Sequence, residues 1–143
     1  MKTSVLTMAD FPASLAIYRA SAQDFPSLSE KSFCDVLARN LRRGTVLGVD
    51  CGGELAGIVV FSPPLSRISF LAVHPVFRRR GIGRILAEAA LVCLNGCAEL
   101  LTYAPENPQA PGAAYCLYRS LGFVEAGRIP GYAAAVICMR KSN

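Results

Sequence analysis

A chain of 143 residues, 52% hydrophobic and 17% charged, is long enough to bury a core unaided and too apolar to stay disordered. No apolar run reaches the roughly 20 residues that span a bilayer, and Met1-Lys2-Thr3-Ser4-Val5-Leu6 meets Asp10 and Pro12 without forming a signal-peptide core. The expectation is one cytoplasmic domain over residues 1–143 with no membrane partner. A net charge of +5 and a pI near 9.1 suit a polyanionic partner, nucleic acid or a phosphorylated cofactor, without choosing between them.

Thr3 to Met8 reads as a first strand. Asp10 is placed to cap a helix with Pro12 in its first turn, and Phe11, Leu15 and Tyr18 recur on one face. Ser27-Leu28-Ser29-Glu30 has capping-box spacing and opens a second helix, with Phe33, Val36, Leu37 and Leu41 inward and Gly44 as its stop. The period then changes: Thr45 to Cys51 and Leu55 to Phe61 are β-rich runs joined at Gly52-Gly53, a hairpin signal. Pro63-Pro64 ends the second of them, and Arg67 to Val73 supplies another strand. From Gly81 the pattern is helical, with Ile82, Ile85, Leu86, Ala89 and Cys93 on one stripe. A short strand over Leu100 to Tyr103, a loop from Ala104 to Gly112 and a helix from Ala113 to Leu121, ended by Gly122, follow. Phe123 to Arg128 and Ala133 to Met139 close the chain as two strands. The order β-α-α-β-β-β-α-β-α-β-β specifies an α/β (α+β) domain, a mixed sheet with helices on both faces.

The cysteines carry less information. Cys34, Cys51, Cys93, Cys97, Cys116 and Cys138 include no CxxC pair, and the one histidine, His74, has no cysteine at ligand spacing, so no metal site is expected. Cys34, Cys93, Cys116 and Cys138 lie in apolar stretches and read as small core residues.

The chemistry concentrates in Phe70-Leu71-Ala72-Val73-His74-Pro75-Val76-Phe77-Arg78-Arg79-Arg80-Gly81-Ile82-Gly83-Arg84. A buried strand ends at Val73, and Gly81 and Gly83 stand where a helix begins. The first amides of a helix have no internal partner and lie at the positive end of its dipole, which makes a phosphate site, and glycines leave it unobstructed. Arg78, Arg79, Arg80 and Arg84 add charge. A Rossmann turn would need a third glycine where Leu86 stands, and a Walker loop would need Gly-Lys-Ser/Thr, so the cradle is of a third kind.

Val73-x-Pro75 followed by Arg78-x-x-Gly81-x-Gly83 closely resembles the acetyl-CoA signature of the GCN5-related N-acetyltransferases (GNAT). Asn107, then Ala114, Leu117, Tyr118 and Gly122-Phe123, resembles the second signature of that family, and Gly131-Tyr132 to Met139-Arg140-Lys141 resembles its last strand. The resemblance implies a mixed, mostly antiparallel sheet, acetyl-CoA as donor and direct transfer of the acetyl group to an amine acceptor, with no nucleic acid and no metal. It also implies that the pyrophosphate lies on the amides of Arg79, Arg80, Gly81, Ile82, Gly83 and Arg84. The pantetheine arm would pair like an added strand with Leu71, Ala72 and Val73 and be hydrogen-bonded by Asn107. An amide at Leu71 or Val73 would polarise the thioester carbonyl, and Tyr118 would be the general acid for the departing thiolate.

Two departures bear on the substrate. Pro108-Gln109-Ala110-Pro111-Gly112 stretches the usual step from Asn107 to Ala114. Thr102 stands where relatives that acetylate protein N-termini often carry a glutamate base, which argues against a peptide N-terminus. The expected acceptor is a small-molecule amine, with a protein lysine or N-terminus second, and the chain a monomer or homodimer. Glu106, Glu54, Asp50 and His74 are the candidate bases, and Asp24, Glu30 and Asp35 are placed either to meet a cationic amine or simply to solvate helix surfaces. Cys116 has no histidine partner and reads as structural, not nucleophilic. Two other readings compete: a non-catalytic acyl-CoA sensor of the same fold, kept open by Thr102, and a nucleic-acid binder using the arginines, for which Phe77 alone supplies no stacking platform.

Overall fold

The computed structural model describes residues 1–131 and 135–143. Its strands and helices follow the expected order. They are β1 (Thr3–Val5), α1 (Phe11–Ser21), α2 (Glu30–Arg43), β2 (Val46–Cys51), β3 (Glu54–Ser62), β4 (Arg67–Val73), α3 (Ile82–Cys93), β5 (Ala98–Tyr103), α4 (Ala113–Ser120), β6 (Val124–Ile129) and β7 (Val136–Lys141). Tyr132, Ala133 and Ala134, part of the expected last strand, lie outside the described residues.

Two helix starts differ from expectation. The first strand ends at Val5, and Thr7 opens a 3-10 turn whose reciprocal cap engages the Asp10 carboxylate at 2.8 Å from the Thr7 amide. Asp10 therefore precedes α1 without capping it. The cap of α2 is Ser29, whose Oγ accepts from the Ser32 amide at 3.1 Å, so the Ser27–Glu30 spacing was a coincidence of composition. Gly44 stops α2 at φ 73°, and Gly52 and Gly53, at φ 62° and 84°, make the hairpin turn as expected.

All seven strands form one sheet in the order β1-β2-β3-β4-β5-β7-β6. On one face α1 and α2 press Ile17, Tyr18, Phe33 and Leu37 onto Ile58, Val60, Phe70 and Ala72. On the other, Ile82, Leu86 and Ala90 of α3 pack on Val49, Val59 and Ile68, joined by Tyr118 of α4 and by Phe123. β3 is buried from Ala56 to Phe61, as befits a strand covered on both faces. Gly57 lets α3 settle onto it: a Cβ there would lie 2.9 Å from Leu86 Cδ1 and 3.1 Å from the Ala72 carbonyl oxygen. That close approach fixes the start of α3 against the end of β4.

Every neighbouring pair of strands is antiparallel except β4 and β5, and these two share a single register step, Arg67↔Glu99. The Glu99 amide donates to the Ser66 carbonyl at 2.8 Å, and beyond that step the strands part. A bulge lies immediately after it: Phe61 faces Ile68 and Val60 faces Phe70, leaving Ser69 of β4 as the extra residue. Bulges raise local twist and bend the strand that carries them, which turns β4 away from β5. The two strands thus make a wedge, closed at Arg67 and open toward Val73 and Tyr103.

Charge closes the apex. Arg67 Nη2 meets Glu99 Oε1 at 2.6 Å, and Arg140 Nε lies 3.5 Å from Glu99 Oε2. The hydrogen bond from Arg67 holds the Glu99 carboxyl below its ordinary value, with burial opposing and the charges of Arg67 and Arg140 assisting. A depressed acid adds stability that is complete above its unfolded pKa, about 4.3, and is lost as pH falls through the folded value. Glu99→Gln is therefore expected to melt earlier than the parent at pH 7, by the equivalent of about 1 kcal/mol or less given the partial exposure of the pair. The gap in Tm should close by about pH 3, and a gap that persists there would assign the effect to packing.

Candidate active site

The open end of the wedge faces the start of α3, where part of the set of residues expected from sequence lies. The His74 amide donates to the Ala56 carbonyl of β3 at 2.8 Å. By strand alternation the Ala72 amide also faces β3, whereas the amides and carbonyls of Leu71 and Val73 point to the free edge inside the wedge. The Leu71 and Val73 side chains are half-buried against the α3 side of the core.

A 3-10 turn over Pro75–Phe77 carries the chain from β4 to the start of α3. Arg79 at φ 66° and Gly81 at φ 76° reverse the backbone, and Gly81 caps α3 without a side chain. The first intrahelical bond is Ile85 N–H to the Gly81 carbonyl at 3.1 Å, so the amides of Ile82, Gly83 and Arg84 have no helical acceptor and point out of the helix start. Gly83 lets α4 approach: a Cβ there would sit 3.4 Å from Leu117 Cδ2 and 3.8 Å from Val73 Cγ2. The end of β4, the first turn of α3 and the middle of α4 thus meet around one glycine.

The four arginines separate by role. Arg78 turns inward, donating from Nε to the Val73 carbonyl at 3.2 Å and from Nη2 to Asp24 Oδ2 at 2.7 Å. Arg84 reaches Ser120 Oγ of α4 and, at 3.5 Å, Glu88. Arg80 lies 5.5 Å over the Phe77 ring and 3.3 Å from the Cys51 thiol. Arg79 has no charged partner among the described residues. Arg79 and Arg80 are the cations left for an anion at the helix start, while Arg78 and Arg84 brace the elements around it.

Tyr118 is buried, with its ring 5.8 Å from Phe123 in an edge-on contact. Burial pushes its phenol well above the ordinary tyrosine value, and its hydroxyl has no hydrogen-bond partner among the described residues. Asn107 is exposed, and its Oδ1 closes a turn by accepting from the Gln109 amide at 3.0 Å. That geometry suits the stretched loop and keeps the carboxamide oxygen engaged.

The candidate bases scatter. Asp50 and Glu54 are exposed near the β2–β3 turn, and Glu106 is exposed in the loop after β5. His74 is half-buried, with Nδ1 accepting from the Val76 amide at 3.2 Å. Thr102 is half-buried opposite Ile137. The carboxylates considered for a cationic amine are all engaged: Asp24 by Arg78, Glu30 by Arg19 at 2.7 Å, and Asp35 by Lys31 at 3.5 Å. Among the cysteines expected in the core, only Cys138 is buried. Cys34 is half-buried, and Cys93 and Cys116 are exposed, because each lies off the inward stripe of its helix.

One element escaped the sequence reading. The segment between α1 and α2 is tied to both arms of the wedge, by Asp24 to Arg78 after β4 and by the Ser27 amide, which donates to the Tyr103 hydroxyl of β5 at 3.1 Å. No motif marks either contact: Asp24 stands outside any pattern, and Ser27 contributes only its backbone amide.

A family model described as an acetyltransferase (GNAT) domain matches residues 42–125. The chain belongs to the GNAT acetyltransferases. As a member it is an N-acetyltransferase whose acyl donor is acetyl-CoA, and the exposed helix-start amides and free β4 edge fit a phosphorylated, strand-like donor. This GNAT chain is 33% identical over 125 residues to the [ribosomal protein bS18]-alanine N-acetyltransferase of Salmonella typhimurium, covering 86% of this chain and 80% of that protein. It superposes on the ribosomal-protein-S18-alanine N-acetyltransferase of Escherichia coli with a TM-score of 0.73 at 27% identity, over 97% of this chain and 91% of the other. The fold is shared with the PaiA N-acetyltransferase of Thermoplasma acidophilum in complex with coenzyme A, with a TM-score of 0.72 at 13% identity over 99% and 98% of the two chains. Among the described residues no helix is long and apolar enough to cross a membrane, and no group of three or more His, Cys, Asp or Glu is placed to hold a metal.

Proposed function

We propose that this chain, acting as one catalytic domain, transfers the acetyl group of acetyl-CoA directly to the α-amine of a polypeptide. Thr102 leaves the open wedge without the glutamate whose absence, on sequence alone, counts against a peptide N-terminus, so the acceptor class is carried by which amine can react without such a base. Attack requires a neutral nitrogen, and an α-amine, with a pKa of about 8, is substantially neutral near pH 7.5, whereas a lysine at about 10.4 is almost wholly charged. A site lacking a strong base therefore favours the α-amine. The names of the Salmonella and E. coli relatives, both alanine N-acetyltransferases, point the same way, and nothing comparable supports the small-molecule amine expected first.

In this reading the amides of Ile82, Gly83 and Arg84, with Arg79 and Arg80, hold the donor phosphates. Leu71, Ala72 and Val73 align the pantetheine arm along β4, with a Leu71 or Val73 amide donating to the thioester carbonyl. One such donor, aimed at developing negative charge, lowers a barrier by about 3 kcal/mol. Acetyl-CoA supplies the activated acyl thioester. Tyr118, protonated throughout the working pH range, gives its proton to the leaving sulfur. The proton from the amine leaves through water, with Glu106, the one carboxylate of the Ala104–Gly112 loop, as its acceptor.

The test offers acetyl-CoA with three acceptors: a peptide beginning with alanine, the same peptide N-formylated and carrying a lysine, and a simple polyamine, with thiol release as the readout. The free α-amine should be acetylated, with a rate that is half-maximal near pH 8 and levels off about one unit above. Turnover of the polyamine or the lysine without the α-amine would overturn the acceptor class.

A further inference from the structure

The wedge is flanked by the α3 layer on one face of the sheet and by α1 and α2 on the other. The helix-start amides lie on the α3 face, so a donor seated there leaves the α2 face for the acceptor. On that face, beside α2, lies a cavity of about 330 Å³ whose lining includes Arg39, Arg43, Ser69, Phe70 and Leu101. It spans β4 and β5, and Ser69, the bulged residue, opens directly into it. Its apolar rim is uncovered, with Leu101 44% and Leu65 58% exposed.

The cavity is also cationic. Arg39 and Arg43 are one helical turn apart, on one stripe of α2, and both are exposed. Neither pairs with a carboxylate among the described residues. Arg43 in the last turn is explained in part by the helix dipole, but Arg39 lies before that turn and lacks this reason to be basic. Arg67, the third guanidinium on the lining, is engaged by Glu99.

We propose that this groove reads an acidic residue at the fourth or fifth position of the polypeptide acceptor, with an apolar neighbour seated against Phe70 and Leu101. This rests on the α-amine acceptor reading above. The reach fits: Ser69 lies four residues from Val73, about 13 Å along a strand, and an extended acceptor covers that span in about four residues. Opposite charge on groove and peptide steers the encounter and fixes its register, and the effect weakens with salt.

The experiment uses two eight-residue peptides that begin with alanine and differ only at positions four and five, Asp-Glu in one and Lys-Lys in the other. Both are assayed with the full chain and with Arg39→Glu/Arg43→Glu. The parent should prefer the acidic peptide by about tenfold in kcat/KM at low salt, and the preference should shrink in 0.5 M NaCl at roughly a 4 Å Debye length. The double variant should reverse the preference while its KM for acetyl-CoA holds. Arg39→Gln/Arg43→Gln, which spares α2 a negative charge at its C-terminus, should abolish the preference without reversing it. Equal acetylation of the two peptides by the parent would overturn the groove's role and leave the α-amine reading standing. Acetylation of neither peptide alongside turnover of a simple amine would overturn both.

Discussion

Replacing Tyr118 by Phe is expected to lower kcat by at least about 100-fold while leaving acetyl-CoA affinity within about twofold, since a positioned general acid contributes roughly 10²–10⁴. The substitution keeps the ring and its edge contact with Phe123 and removes only the hydroxyl, which binds nothing else among the described residues. Burial raises the pKa of this phenol, so it stays protonated as the pH rises past the ordinary tyrosine value. The parent should therefore lose no activity to tyrosine ionisation up to about pH 10, the unperturbed pKa. Steady-state rates across that range, with calorimetric binding of acetyl-CoA to both proteins, check both statements. A variant that turns over like the parent would make Tyr118 a packing residue, and the leaving thiolate would take its proton from water.

The second large effect is expected at Gly81. Its φ of 76° places it in the left-handed region, and a Cβ there would meet nothing within 4 Å, so the cost of a side chain is conformational and not steric. Gly81→Ala should weaken acetyl-CoA binding by about 5- to 30-fold, equivalent to the 1–2 kcal/mol that left-handed backbone costs an ordinary residue. Gly81→Asp adds a carboxylate beside the donor's phosphates and should weaken binding by about 100-fold or more. Gly44→Ala is the control: its φ of 73° carries similar strain at the C-terminus of α2, remote from the helix start. It should lower stability and leave the Kd unchanged. Gly81→Asp binding acetyl-CoA as tightly as the parent would remove the helix-start amides from the donor site.

The element order and the glycine-flanked start of α3 were legible in the sequence because both are local. A period of two or 3.6 residues, a Gly-Gly turn and a glycine-flanked helix start are each set within a few residues. The wedge was not legible. It depends on one extra residue, Ser69, facing a partner strand whose register is decided by the whole hairpin. The roles of the arginines were equally hidden, since Arg78 is drawn inward by Asp24, 54 positions earlier. The strap from Ser27 to Tyr103 joins residues 76 positions apart and involves a backbone amide, which leaves no trace in side-chain spacing. At Ser27 the opposite holds: composition satisfies the local capping motif, and Ser29 makes the bond. Glu30 and Asp35, which on sequence could equally meet an amine or solvate a helix, are paired, Glu30 with Arg19 of α1 and Asp35 with Lys31 one turn earlier in α2.

An open sheet ordinarily has two margins, and unpaired backbone along a margin invites another chain to add itself, the usual route to aggregation. This sheet has four, because the β4–β5 divergence creates two more in its interior. The inner pair is recessed between the layers formed by α1 and α2 on one side and α3 and α4 on the other, with the segment around Asp24 and Ser27 drawn across its mouth. That recess favours a slender flexible chain over a rigid strand belonging to another folded molecule. The protein can thus keep unsatisfied strand backbone permanently on offer without becoming adhesive to its own copies, and the width of the wedge selects what is admitted before any side chain is consulted.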